Sequence, residues 1–332
     1  MPEAKLTREL VKKCFEKKMS ATAIIQKYGG SRSTLVKYKR EIEHDKQTWG
    51  DNVTTDKKIG TFDWRNMLNP LKDLQNQFKE AKSSQDVATW KIKTDQPICV
   101  AIIGDLHMGS WATDYDMLIQ VTNEIINTPN LYVILVGDLL QMSIKLRGVL
   151  EVADNALPPM FQLMFLDSWL QEIKHKVIAS TWDNHSVMRE ENGTGFSKYA
   201  EIFSRHVIYH NGIGHLTVNV NDQSYNFAVG HFFRGRSIFN PLHGHMRYIR
   251  HEGHDRDIVA SGDSHEAGVM QANISSKRRV ALNCGSIQNS GFGKRFFSLM
   301  NQPVFPCVTL SHSHHSVTPY WSVKDWLEAS NK

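Results

Sequence analysis

Seven side chains able to hold a metal ion stand just beyond short apolar runs in this sequence: Asp105, His107, Asp138, Asn184, His231, Asp263 and His265, with His185 directly after Asn184. None is a cysteine. Carboxylate, imidazole and amide-oxygen donors suit Mn²⁺, Mg²⁺, Fe or Zn²⁺ better than a metal that prefers thiolates. Seven ligands are too many for one tetrahedral ion. They fit two divalent ions about 3.5–4 Å apart, bridged by one carboxylate, an arrangement suited to in-line displacement at phosphorus.

The elements that must carry these groups are six in number. Ile98–Ile103 leads into Gly104-Asp105-Leu106-His107, Leu131–Val136 into Gly137-Asp138, and Lys176–Ser180 towards Asp183-Asn184-His185. Asn226–Val229 leads into Gly230-His231, Asp257–Ala260 towards Gly262-Asp263-Ser264-His265, and Val280–Leu282 into Asn283-Cys284-Gly285-Ser286. A short apolar run closed by a turn predicts a buried strand whose C-terminal loop faces a site.

The order D-x-H, G-D, N-H, an isolated His after a strand, then G-x-x-H followed by N-x-G-S resembles the calcineurin-like metallophosphoesterase superfamily over residues 96–290. The resemblance implies an α/β fold, a β-sandwich flanked by helices in an αββα arrangement. It also implies that Asp105, His107, Asp138 and His265 hold one ion, with Asp138 bridging, while Asn184, His231 and Asp263 hold the other. His185 would be the catalytic imidazole beside the phosphate, and water acidified by the ions would attack phosphorus. Mn²⁺ is the first expectation, with Mg²⁺, Fe and Zn²⁺ as alternatives.

Three departures fall inside these motifs. Asp183-Asn184-His185-Ser186 replaces G-N-H plus an acid, so His185 lacks its usual neighbouring carboxylate and needs another partner, such as a backbone carbonyl, to fix its tautomer. Asp263 stands where the family has a His, which favours Mn²⁺ or Mg²⁺ over Zn²⁺. Gly137-Asp138 continues Leu-Leu-Gln-Met, which does not match the Ser/Thr protein phosphatase branch.

At 332 residues and 41% hydrophobic content, the chain can bury one large core plus a small appended unit. No run of 18 apolar residues is present and the N-terminus lacks a signal-peptide core, so a soluble, cytoplasmic protein is expected, in a bacterial host if phage-encoded. Cys14, Cys99, Cys284 and Cys307 are too scattered for a zinc motif and read as reduced thiols without disulfide partners.

Charge is concentrated at one end. Residues 1–48 carry twelve Lys and Arg against six Asp and Glu, a net of +6 in a chain whose total is +5. Apolar spacing places helices around Leu6, Leu10 and Cys14, around Ile24, Ile25 and Tyr28, and, after Gly29-Gly30 and a Ser31 cap, around Leu35, Tyr38 and Ile42. Arg32, Ser33, Lys37 and Arg40 would line the outer face of the third helix. Residues 1–46 thus resemble a helix-turn-helix module, as in many phage and transposon proteins, with DNA as its expected partner and subunit assembly as its competing use.

Residues 47–95 read as linker (Gln47–Thr61), amphipathic helix (Asn69–Lys82) and lead-in edge strand (Val87–Lys93), with the phosphoesterase domain over 96–325. Phe232–Arg256 interleaves Arg234, Arg236, Arg247, Arg250 and Arg256 with aromatic residues and histidines, a composition suited to a nucleic-acid strand or to a solvated helical insertion. His243 and His245 rival His231 as the isolated ligand. Ser311–Ser316, rich in histidine, is expected on an edge strand. Three readings follow: a metal-dependent phosphodiesterase (nuclease) acting on DNA; a nucleotide or cyclic-nucleotide phosphodiesterase or phosphomonoesterase; and a catalytically weakened DNA-binding protein.

Overall fold

The computed structural model describes residues 6–47, 65–66, 68–76, 87–142, 154–194, 197–235, 237, 239–288 and 303–330. The chain divides into two compact units, Met1–Pro70 and Leu71–Lys332.

In the first unit, three helices begin on hydroxyl caps: α1 (Arg8–Glu16), α2 (Ala21–Tyr28) and α3 (Arg32–Gln47). Thr7, Ser20 and Ser31 accept the N–H groups of Leu10, Ala23 and Thr34 at 3.4, 3.3 and 3.1 Å, satisfying donors that the first helical turn leaves open. Leu6, Val11, Cys14, Ile24, Leu35 and Ile42 form one small core. Gly29 and Gly30, at φ +71° and +98°, reverse the chain between α2 and α3, and a Cβ on Gly30 would collide with Leu6. Arg32, Ser33, Lys37 and Arg40 are exposed, and Leu35 is buried, as their spacing predicts.

Residues 68–76 form a helix, α4, on which every described side chain is exposed, including Leu71 and Leu74. The expected buried stripe of an amphipathic helix is therefore absent over 68–76. Residues 77–82 and nearly all of the expected linker lie outside the described residues.

The second unit is α/β. Its strands are β1 (Val87–Ile92), β2 (Ile98–Ile103), β3 (Leu131–Leu135), β4 (Val177–Thr181), β5 (Ile208–His210), β6 (Gly214–Val220), β7 (Gln223–Val229), β8 (Ile258–Ser261), β9 (Gly268–Ile274), β10 (Lys277–Asn283), β11 (Cys307–Leu310) and β12 (Val317–Tyr320). They make two six-stranded mixed sheets, ordered β1-β6-β7-β8-β10-β9 and β12-β11-β2-β3-β4-β5. In the second sheet β2 to β5 run parallel. Parallel neighbours need crossovers. Here these include α5 (Tyr115–Asn127), α6 (Pro159–Ile173), α7 (Val187–Thr194) and α8 (Lys198–His206).

Alternation along the strands decides the layering. Phe227, Val229, Ile258, Ala260, Val280 and Leu282 enter the main core together with β2, β3 and β4. Ala228, Val259 and Ala281, one residue out of phase, enter a second cluster with Tyr248 and Ile249 of α9 (His243–His251). The main core also takes in Leu118 and Ile125 of α5, Leu166 and Leu170 of α6, and Phe203 of α8. Strand β2 is buried at all six positions, so its sequence shows no alternation.

Two expected boundaries move. β1 pairs in parallel with β6 as the edge strand of its sheet, and α10 (Val323–Ser330) buries Val323 and Trp326 in the core, so the unit overruns 96–325 at both ends. The partner that places β1 is remote in sequence, whereas α10 follows directly on β12. Ser311–Ser316 is a turn between β11 and β12 rather than part of an edge strand. Tyr225 pins it by donating to the carbonyl of Ser311 at 2.6 Å, and its ring stacks on His315. Among the described residues no helix is long and apolar enough to cross a membrane, and all four cysteines are buried free thiols.

His245 ties α9 to its sheet through the Ser261 hydroxyl, 2.8 Å from its Nε2. Burial pushes its pKa down to about 3 from an ordinary 6.5. As pH falls below 6.5, the unfolded chain takes up a proton that the folded ring refuses until about pH 3, so stability is lost across that window. His245→Gln is expected to lower the pH-dependence of unfolding free energy there by about one proton in urea titrations. An unchanged slope would contradict the assignment.

Candidate metal centre

Six strand ends meet at one place. β2, β3 and β4 from one sheet and β7, β8 and β10 from the other point their C-terminal loops at it, and the loops are bent hard. Asp105, His107, Asp138, Asp263 and His265 have φ of +51°, +47°, +47°, +70° and +58°. Left-handed conformations cost non-glycine residues about 1–3 kcal/mol each and persist only where the surroundings impose them. The imposing contacts are specific. Asp105 and His107 donate their N–H groups to the carbonyls of Gly137 and Asp138 at 3.1 and 3.0 Å, and Asp263 donates its N–H to the Asp105 carboxylate at 2.8 Å. Thr113 and Ser286 donate their hydroxyls to the carbonyls of His107 and Asp105 at 2.6 and 2.7 Å. Gly137, at φ +93°, is required, because a Cβ there would lie 2.7 Å from His231 Nδ1.

The side chains converge around Asp138. His231 Nε2 lies 3.3 Å from its Oδ1, while His185 Nε2 and His107 Nε2 lie 3.7 and 4.0 Å from its Oδ2. His107 Nε2 faces His265 Nε2 at 3.1 Å, and His265 Nε2 is 3.8 Å from Asp105. On the other side, His231 Nε2 is 3.2 Å from Asn184 Oδ1 and 3.5 Å from Asp263 Oδ1. Among the described residues, three overlapping trios have ligand atoms close enough to hold one ion: Asp105, His107 and His265; His107, Asp138 and His185; and Asp105, Asp138 and His231.

Outer partners set which ring nitrogens face inward. His107 Nδ1 is 3.0 Å from Gln141 Oε1, His231 Nδ1 is 2.8 Å from the Val136 carbonyl, and His185 Nδ1 is 3.2 Å from the Gln141 carbonyl. Oxygen acceptors on Nδ1 leave Nε2 for a cation. His185 thus has the backbone carbonyl partner that its missing acidic neighbour called for.

Charge is what the centre lacks. Asp105, Asp138, Asp183 and Asp263 share a mostly buried space. Burial pushes Asp105 well above the carboxylate range, and proximity to Asp138 adds to the shift. Burial would raise Asp138 too, but His231, His185 and His107 outweigh it and hold that carboxyl below its ordinary value. Burial works to neutralise His231, yet Asp138, Asp105 and Asp183 raise its pKa to about 10. Burial, with His185 and His265 close by, keeps His107 well below its usual range and therefore neutral. The Oδ1 atom of Asp138 meets the His231 ring at 3.3 Å and makes no well-aligned hydrogen bond. Inward-facing imidazole nitrogens and excess buried carboxylate fit a divalent cation.

The structure brings all eight residues selected from the sequence together. His243 is exposed and bonded to Gly235, and His245 is bound to Ser261, so His231 is the histidine in the cluster. Four residues support the centre in roles that the sequence does not assign them. Gln141 orients two histidines. Asp183 accepts the Asp138 N–H at 3.2 Å and caps α7 through Ser186 and Val187 at 2.6 and 3.2 Å. Asn283 donates to Ser264 and to the Glu266 carbonyl, bracing the loop of Asp263 and His265, and Ser286 braces Asp105. Only N-x-G-S pointed to the last two; nothing local marks Gln141.

Fold and site together define an α/β protein of two six-stranded sheets with a buried aspartate–histidine centre able to hold a metal ion. No family model and no curated protein matches the chain. Among solved structures, it is similar to "GAP50 the anchor in the inner membrane complex of Plasmodium", with 13% identity over 69% of this chain and 86% of that one. The TM-score of 0.35 leaves that likeness without weight for fold or function.

A cation entering beside His231 must displace the proton that the carboxylates keep there. Calorimetry with Mn²⁺ in buffers of different ionisation enthalpy is expected to show proton release, with affinity rising as pH is raised through neutrality. Gln141→Leu, which frees the His107 ring, is expected to weaken Mn²⁺ binding about 10–100-fold. Binding that is independent of pH and of Gln141 would contradict this site.

Proposed function

We propose that the chain is a metal-dependent phosphodiesterase of the calcineurin-like kind, acting on DNA with two divalent ions, Mn²⁺ foremost. The observation that carries this reading is the meeting of Asp105, His107, Asp138, Asn184, His231, Asp263 and His265, in family order, around one aspartate that touches both halves of the cluster. Two bound divalent ions would supply charge neutralisation at phosphorus and an acidified water.

The chain's own residues do the rest. Asp138 lies between the His107–His265 side and the His231–Asn184 side, the place for a bridging ligand. His185 has its Nδ1 held by Gln141 and a side chain 23% exposed, against 3% for His107 and 0% for His231. An imidazole on the open rim, aimed by its far nitrogen, is placed to stabilise a phosphoryl oxygen and to give a proton to the leaving oxygen. Asp183, buried against the backbone of Asp138, positions that aspartate and is no substitute for the missing acid beside His185.

The exposed Arg32, Ser33, Lys37 and Arg40 of the first unit suit phosphate contacts to duplex DNA. Hydrolysis of small nucleotides is the second reading, favoured by a pocket beside His231.

Asp138→Asn is expected to abolish Mn²⁺-dependent hydrolysis of bis-p-nitrophenyl phosphate while leaving circular dichroism unchanged; normal turnover would sink the two-ion reading. Lys37→Ala with Arg40→Ala in the full chain should weaken duplex binding and flatten the plot of log affinity against log salt by about 0.9 per lost contact. If binding and slope are both unmoved, the first unit serves assembly and the small-substrate reading gains.

A further inference from the structure

A pocket of about 390 Å³ opens beside His231, walled chiefly by Trp182, Ile213, Phe232, Arg234, Arg247 and Tyr248. Two of its walls are bonded to the metal centre: Trp182 immediately precedes Asp183, and Phe232 immediately follows His231. Their rings stand 6.5 Å apart at 60°. Drug-sized ligands occupy clefts of about 300–1,000 Å³ lined by apolar and aromatic groups with a few polar anchors, and this pocket meets that description.

Polar anchors stand among the aromatic walls. Arg234 and Arg247 are exposed side chains on the pocket lining. The stem of Arg247 passes over Gly235, where a Cβ would lie 3.2 Å from its Cδ, and Gly235 takes φ +105°. Glu252 adds an acceptor on the pocket wall.

We propose that this pocket holds the nucleobase of the nucleotidyl group whose phosphorus lies at the metal centre, an inference that rests on the phosphoesterase reading. A base brings a flat aromatic face for Phe232 and Trp182, and base–aromatic stacking tolerates any sequence. A guanidinium from Arg234 or Arg247 stacks on the same face or meets an adjoining phosphate. Glu252 accepts from the exocyclic amine of cytosine, adenine or guanine. A base inside a duplex cannot enter, so the substrate offered to this site is a nucleotide, a strand end or an unpaired stretch.

The test has two arms on the full chain. In the first, 2′-deoxycytidine 5′-monophosphate and 2-deoxyribose 5-phosphate are titrated without divalent metal. The nucleotide is expected to bind about 5–100-fold more tightly, with Phe232→Ala and Arg247→Ala each cutting that preference. Equal binding of the two phosphates, or a preference that both variants keep, overturns the pocket whatever the activity. In the second arm, with Mn²⁺, the p-nitrophenyl ester of deoxycytidine 5′-monophosphate is compared with methyl p-nitrophenyl phosphate. Phe232→Ala should lower the ratio of their kcat/KM values about 10-fold; a ratio it leaves unmoved also overturns the pocket. Cleavage of neither ester, with the first arm passed, sinks the phosphoesterase reading and leaves the base-binding pocket standing.

Discussion

The constraint on which the second unit depends is the crowding of aspartate carboxylates where water is scarce. Asp105 is fully buried and Asp138 is 3% exposed, and an uncompensated charge in such a place is strongly destabilising. The protein's own remedy is partial. His231 is driven to hold a proton and Asp105 is driven towards its neutral form. Both responses are those of a site short of positive charge.

The backbone that carries these carboxylates is closely braced. Asp138 and its neighbours leave strands buried on both faces, and five ligand-bearing residues sit in left-handed backbone held by Thr113, Ser286 and the Gly137 carbonyl. Backbone strain is sustained by the surrounding sheets rather than by the loops themselves. Gln141, Asp183 and Asn283 form a further layer that fixes tautomers and loop positions. The neighbouring pocket draws on the same strand ends, since Trp182 precedes the supporting Asp183 and Phe232 follows His231.

Much of this was legible in the sequence because the chemistry lies next to the strands that carry it. Ile98–Ile103 matches β2 residue for residue, and the other five runs overlap β3, β4, β7, β8 and β10. The first unit was equally readable, since Gly29-Gly30 and the Ser31 cap are local signals. What failed was non-local. The exposure of Leu71 and Leu74 depends on packing partners, and the histidine turn after β11 depends on Tyr225 more than eighty residues earlier. The bond from the Asp138 N–H to the Asp183 carboxylate joins residues 45 apart, so nothing local shows it.

The proposal that one carboxylate, Asp138, joins two metal positions is tested by anomalous diffraction from crystals of the full chain grown with Mn²⁺. Two peaks are expected about 3.5–4 Å apart on either side of Asp138, one beside His107 and His265 and the other beside His231 and Asn184. A single peak, or manganese found only at the exposed His314 and His315, would overturn it.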